Sequence, residues 1–166
     1  VDLSLVNALS APLATSTDSY YLLVKAIDRA GNVSASTEVF DFRFDNTPPA
    51  NPGFISSPSG FINTKDATLT WPTSGGQAAS DSASGLAGLQ YRIGEGGTWY
   101  GDAHDGTGSI TDLLSNDGIY QTVPTPDFDD LIDGTNTIYF RTWDAAGNAT
   151  SNYVSAALKI NTNGSP

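Results

Sequence analysis

The sequence predicts an all-β chain that folds as a β-sandwich. Helical periodicity is nearly absent, whereas short segments such as 41–44 and 157–160 alternate polar and apolar residues. Segments rich in Gly, Asn, Asp and Pro separate them and favour turns. The chain also repeats itself, because residues 22–34 match residues 138–150. Repetition at a fixed period is typical of modules arranged in tandem.

The first part of the chain shows three strand signals, near 2–9, 20–28 and 38–45. Leu22, Val24 and Ala26 share one parity and are predicted to face a core, whereas Lys25 takes the other parity and faces out. Three strands do not complete a sandwich, so this part is predicted to expose apolar surface and unpaired backbone.

The rest of the chain shows further strand signals near 53–57, 67–71, 86–93, 98–100, 119–123 and 136–143. Ile138, Phe140 and Thr142 share the core parity, and Arg141 and Trp143 take the outer one. Six to nine short strands separated by such turns indicate a β-sandwich.

A repeated turn, Asp-x-Ala-Gly-Asn, connects the last two strands of each copy. Asp28 aligns with Asp144, 116 residues further on, and the Gly and Asn that follow align at the same offset. Glycine adopts positive φ, asparagine tolerates the left-handed region, and an Asp carboxylate caps nearby amides. The motif therefore predicts a tight connection between two antiparallel strands.

The repeat also predicts the domain organisation. Residues 1–45 are interpreted as the closing part of a preceding module, and 46–52, which carry three prolines, as a stiff linker. Residues 53–166 are interpreted as one complete module, enlarged by an insertion at about 101–130. Because the insertion is not shared, it is the place where a special function, if the module has one, is expected.

Composition narrows the function classes. The chain has 18 acidic and 7 basic residues, a net charge of −11, which argues against nucleic acid and anionic lipid as partners. Cysteine is absent, so disulfides and thiolate metal sites are excluded. No apolar run is long enough for a membrane span.

Several motifs together resemble bacterial immunoglobulin-like (Big) repeats, close in style to fibronectin type III modules. They are Leu-Ile-Asp-Gly-Thr at 131–135, the segment 138–148, Asp-Asn-Thr-Pro-Pro at 45–49, and the segment 81–93 followed by Trp99. The resemblance implies an immunoglobulin-like β-sandwich within a large extracellular protein, such as an adhesin, a surface layer, a stalk or a spacer in a secreted enzyme. The module is longer than usual sandwich domains, and the extra length falls at 101–130.

Catalytic residues are not predicted, and the chain is interpreted as a non-enzyme. Its single histidine, His104, lies in a Gly- and Asp-rich segment typical of a solvated loop, and no nucleophile-elbow sequence is present.

Calcium is the one cofactor that the sequence suggests, because hard cations bind carboxylate and carbonyl oxygens. No EF-hand loop is present, and capping of turns by the same side chains is the favoured alternative. The candidate ligands are Asp28, Asp45 and Asp144 near a module junction, and the cluster Asp127, Asp129, Asp130 and Asp133.

Among the aromatic residues, Trp71 lies on an apolar strand and is predicted in the core. Trp99, Tyr100 and Trp143 are candidates for binding sugar rings or a neighbouring subunit, with packing beneath loops as the favoured alternative.

The leading hypothesis is a structural repeat of a bacterial extracellular surface protein, either an adhesin stalk or a self-assembling filament or layer. The expected partners are neighbouring modules of the same chain or of identical chains, with strand complementation through residues 1–45 as one possibility. The alternative hypothesis is a carbohydrate-binding or accessory module of a secreted multidomain enzyme.

Overall fold

A computed structural model of the chain describes residues 13–103, 106–121 and 130–164. The chain divides into two compact units between Thr47 and Pro48, a point inside the proline-rich segment 46–52. The fold is all-β, as the alternation predicted, and each unit is described by itself below.

Unit 1 contains an antiparallel pair of strands, β1 (Tyr20–Val24) and β2 (Thr37–Phe42). The register pairs Leu22 with Phe40 and shifts by one residue between Leu22 and Leu23. The residues of β1 and β2 are mostly exposed, although many of them are apolar.

Unit 2 contains a four-stranded sheet in the order β3-β8-β7-β5. Its strands are β3 (Phe61–Ile62), β5 (Leu86–Ile93), β7 (Gly134–Asp144) and β8 (Val154–Ile160). The short strand β3 runs parallel to β8, and the other neighbours are antiparallel. A second sheet pairs β4 (Thr68–Thr70) with β6 (Ile119–Gln121), and a 3-10 turn spans Gly75–Gln77.

The core of unit 2 lies between these two sheets. Burial along β7 alternates residue by residue, as the parity of Ile138 and Phe140 predicts. Trp71 is 5% exposed, which confirms its predicted place in the core, and its ring lies 6.2 Å from that of Phe140. Two sheets that bury a shared apolar layer are consistent with a β-sandwich. The buried layer consists of Ile55, Ala67, Leu69, Trp71, Leu89, Tyr91, Leu114, Leu131, Ile138, Phe140, Ala156, Leu158 and Ile160.

Some predicted strands are shorter than expected. The segment 53–57 contributes a single bridge, from Ser56 to Thr70, and the segment 98–100 contributes one from Tyr100 to Tyr91. Strand β3 was not predicted, because two residues carry no periodicity. The predicted strand at 2–9 lies outside the described residues. Within those residues, no helix has the length and hydropathy needed to span a membrane.

Candidate functional site

The repeated Asp-x-Ala-Gly-Asn turn has the same geometry in both units. In unit 2, Asp144 accepts hydrogen bonds from the backbone N–H of Asn148 at 2.8 Å and from its side-chain amide at 2.7 Å. In unit 1, Asp28 accepts the same two bonds from Asn32, at 2.8 and 2.7 Å. The motif is thus a self-contained cap, in which the carboxylate is satisfied within its own turn.

The two copies of the turn differ in exposure. Asp144 is fully buried, whereas Asp28 is exposed. The side-chain amide of Asn32, followed by its backbone N–H, lowers the pKa of Asp28 below the ordinary value of 3.8. Hydrogen bonds to the ionised form explain this direction.

The other calcium candidates near the predicted junction also accept bonds from protein donors. Asp45 accepts a hydrogen bond from the backbone N–H of Thr47 at 3.0 Å within unit 1. In unit 2, carboxylate oxygens of Asp81 and Asp144 lie within 4.8 Å of one another. Asp81 accepts bonds from the backbone N–H groups of Ala83 and Gly85. Capping therefore explains these carboxylates, and calcium binding stays a prediction.

The second acidic cluster is described only in part. Asp133 accepts hydrogen bonds from the backbone N–H and hydroxyl of Thr162, and from the side-chain amide of Asn163. Asp130 is exposed. Asp127 and Asp129 lie outside the described residues, as does His104.

The structure brings Trp99 and Trp143 together around an arginine and places Tyr100 elsewhere. The Cζ atom of Arg141 lies 4.3 Å from the ring centroid of Trp99 and 5.1 Å from that of Trp143. Tyr100 instead packs against the core, with its ring 6.0 Å from that of the buried Tyr91. Trp99 and Tyr100 therefore point in different directions, as adjacent residues of extended backbone do.

A second arginine extends this cluster across the outer side of the four-stranded sheet. The Cζ atom of Arg92 lies 4.8 Å from the Trp99 ring centroid, 4.7 Å from that of Tyr153 and 5.3 Å from that of Tyr139. Arg92 and Tyr139 are direct cross-strand partners in β5 and β7. We call this surface the arginine–aromatic face; it consists of Arg92, Trp99, Tyr139, Arg141, Trp143 and Tyr153.

A buried glutamine fixes the central arginine of the face. Gln90 is fully buried, and its side-chain oxygen accepts bonds from Arg141 Nε at 3.0 Å, Arg141 Nη2 at 2.7 Å and Trp143 Nε1 at 2.8 Å. Its side-chain nitrogen donates to the carbonyls of Ser109 and Asp112. Gln90 therefore ties the arginine–aromatic face to the loop that follows β5.

The arginine–aromatic face carries two positively charged side chains, Arg92 and Arg141, although the chain has a net charge of −11. Burial lowers the pKa of Arg141 below its ordinary value, Tyr153 raises this pKa, and the positive charge of Arg92 lowers it further. The two arginines thus repel each other beside the Trp99 ring, and the cation–π contacts with that ring offset part of the repulsion.

Sequence reasoning missed Arg92, Tyr139, Tyr153 and Gln90. The alternation of Tyr139, Arg141 and Trp143 in β7 does predict that these three share the outer side. The other members depend on the pairing of β5 with β7 and on the path of the loop that carries Trp99, and neither is encoded locally.

A separate candidate surface is the apolar hairpin of unit 1. Leu22 is 44% exposed and Phe40 is 57% exposed, yet their counterparts in the repeat, Ile138 and Ala156, are buried in unit 2. The rings of Phe40 and Phe42 stack on this surface at 5.4 Å.

A shallow groove in unit 2, with a volume of about 490 Å³, is lined by residues 48–51 and 150–152. Asn51 crosses it, donating to the Asn152 carbonyl and accepting from the Thr142 hydroxyl. Both ends of the Asn51 side-chain amide are thus bonded to other groups of the protein.

No family model matches the chain, and no curated protein matches it significantly.

Proposed function

We propose that the chain is a structural segment of a bacterial extracellular surface protein built from tandem immunoglobulin-like modules, as in an adhesin stalk or a surface filament. Unit 1 supplies the closing hairpin of one module, and unit 2 is the next module. The observation that carries the proposal is that unit 1 repeats the hairpin of β7 and β8 while exposing the residues that unit 2 buries.

The register supports equivalence of the two hairpins. Leu22 pairs with Phe40, and Ile138 pairs with Ala156 at the positions one repeat later along the chain. The two preceding pairs, Tyr20 with Phe42 and Tyr21 with Asp41, correspond in the same way to Asn136 with Leu158 and Thr137 with Ala157. After Leu22, the one-residue shift in unit 1 has no counterpart in unit 2. Because a slip of one residue would turn the side chains to the other face, equal register over these three pairs places Leu22 and Phe40 on the same face as Ile138 and Ala156.

The side-chain volumes on that face also correspond. In unit 2, the neighbouring core positions hold a large Phe140 and a small Ala156. The aligned positions of unit 1 hold a small Val24 and a large Phe40. Each pair keeps one large aromatic residue beside a smaller apolar one, and packed cores tolerate such a redistribution of volume. The exposed face of unit 1 is therefore suited to a sandwich core.

A structural role follows from this arrangement. A hairpin that needs further strands to bury its apolar face joins neighbouring modules, or neighbouring chains, into a longer assembly. The acidic surface keeps such an array soluble, and the prolines at 48, 49 and 52 stiffen the connection.

A chimera tests the proposal. Residues 48–133 joined directly to residues 18–166 would place the first strands of unit 2 in front of the unit 1 hairpin, at the spacing that the repeat defines. We expect this chimera to show a larger calorimetric unfolding enthalpy than the natural chain. We also expect it to bind less of the dye ANS, because the added strands cover the face of Leu22 and Phe40.

The matched control is the same chimera carrying Leu22→Asn, which places an amide in the new core and should restore dye binding. If the chimera binds as much dye as the natural chain and gains no cooperative unfolding enthalpy, the proposal is wrong.

A further inference from the structure

We propose that the arginine–aromatic face binds an acidic polysaccharide, through contacts of Arg92 and Arg141 with the carboxylates of uronate sugars. This site is independent of the structural role proposed above, because it lies on the outer side of unit 2 and does not involve the unit 1 hairpin.

The first argument is that the two guanidinium groups keep free donors. Within the described part of the chain, Arg92 makes no hydrogen bond or ion pair. Its Nε atom is buried, so its Nη groups are the donors that a bound anion can reach. Arg141 bonds through Nε and Nη2 to Gln90 and to the Gly108 carbonyl, and no described residue bonds its Nη1. Guanidinium N–H groups match carboxylate oxygens in geometry and charge.

The second argument is the absence of an internal counter-ion where one would be easy to supply. The chain has 18 acidic residues for 7 basic ones, yet neither arginine has a carboxylate partner among the residues described. Two like charges held beside the same Trp99 ring repel each other. An anion bound between them relieves this repulsion.

The third argument distinguishes a polysaccharide from an acidic peptide. The outer edge of β5 is already closed by backbone bonds from Leu89 to Leu114 and from Tyr91 to Tyr100, so a peptide cannot add a strand there. What the face offers is a row of half-buried rings, with Tyr153 41% exposed. The apolar side of a pyranose ring packs on the exposed part of such rings while its carboxylate meets the arginines.

The test begins with the full wild-type chain. Polygalacturonate, neutral dextran and poly-glutamate are each titrated, and the tryptophan fluorescence and affinity-gel mobility are recorded. We expect polygalacturonate to change both signals, with binding weakened by added NaCl, and dextran to change neither. No response to polygalacturonate overturns the proposal, and poly-glutamate binding of equal strength overturns its assignment to a polysaccharide.

Variants then locate the site. We expect Arg92→Gln and Arg141→Gln each to weaken polygalacturonate binding by about tenfold or more, because each removes a charge-assisted contact. Lys159→Gln is the matched control, since it makes the same change of charge on β8 of the same sheet. Circular dichroism melting verifies the fold of each variant. Equal weakening by Lys159→Gln would attribute binding to net charge and overturn the site.

Discussion

The glycine of the repeated turn is held in a backbone conformation that other residues adopt at a cost. Gly31 and Gly147 have φ of 88° and 92°, and an added Cβ would meet nothing within 4 Å at either position. The positive φ, rather than a steric clash of the new Cβ, therefore determines how strongly an alanine at either position destabilises the fold. We expect Gly147→Ala to lower the free energy of unfolding of unit 2 by about 1–2 kcal/mol. Urea unfolding followed by tryptophan fluorescence measures it.

Gly96→Ala is the control for this prediction, because Gly96 also has open space around it but lacks a left-handed φ. We expect that variant to stay within about 0.5 kcal/mol of wild type. Gly147→Asn should recover part of the loss, since Asn tolerates the left-handed region. Equal effects of Ala at positions 147 and 96 would contradict the assignment of strain to the turn.

Asp133 makes the stability of unit 2 depend on acidity. The backbone N–H of Thr162, at 2.8 Å, and then its hydroxyl lower the pKa of Asp133 below the ordinary 3.8. Because the folded-state pKa is the lower one, the stabilisation is present above the unfolded pKa and is lost as pH falls through the folded pKa.

We therefore expect the thermal midpoint to fall between about pH 6 and about pH 2, and Asp133→Asn to make this fall less steep. Circular dichroism melts at intervals across that range measure the slope. Asp130→Asn serves as the control, because Asp130 is exposed and has none of the Thr162 bonds. A slope that Asp130→Asn flattens equally would show that general charge, not the Thr162 bonds, is responsible.

At the scale of elements, the loop after β5 is held in place by one buried carboxylate. Asp112 is 1% exposed and accepts bonds from the backbone N–H groups of Gly101 at 2.8 Å and Ala103 at 2.7 Å. Its backbone carbonyl accepts from Gln90, the residue that positions Arg141. The loop thus supports both β5 and the arginine–aromatic face.

We expect Asp112→Ala to destabilise unit 2 by roughly 2–3 kcal/mol, because the Gly101 N–H loses its partner in a buried site. Chemical unfolding measures the change. Asp102→Ala, at an exposed position of the same loop, should have little effect. If the two variants lose equal stability, the loop is not anchored by Asp112.

The sequence predicts the strands and turns of this fold better than it predicts which residues from distant parts of the chain come into contact. The repeated turn, the strands at 86–93 and 119–121 and the burial of Trp71 all follow from parity, turn chemistry or apolar character. These properties depend on residues a few positions apart. They were therefore predictable without knowledge of the tertiary structure.

The arginine–aromatic face illustrates what could not be predicted. Trp143 and Arg141 share a parity within β7, but Arg92 reaches them through pairing of β5 with β7, and Trp99 through a loop. Tyr100 was a candidate for binding, with packing beneath loops as the favoured alternative, and its bridge to Tyr91 turns it towards the core. Pairing between residues distant in sequence therefore determines both the assembly of the face and the packing of Tyr100 against the core.

At the scale of the whole molecule, the repeat gives the same position two different environments. Ile138 is fully buried in unit 2, whereas its counterpart Leu22 is 44% exposed in unit 1. Removing buried methyl groups costs both the hydrophobic transfer energy and the energy of the cavity that remains. Removing the same groups from an exposed side chain costs little. Equivalent substitutions should therefore have unequal effects.

We expect Ile138→Ala to lower the free energy of unfolding by about 2–5 kcal/mol, and Leu22→Ala to change it by less than about 0.5 kcal/mol. Denaturant unfolding of the natural chain measures both. In the chimera of residues 48–133 with 18–166, the added strands cover the face of Leu22, so Leu22→Ala should there become destabilising by an amount comparable to Ile138→Ala. A large effect of Leu22→Ala already in the natural chain would mean that the hairpin face is covered in solution, contrary to its exposure. A negligible effect in the chimera would mean that the face is not a core face at all.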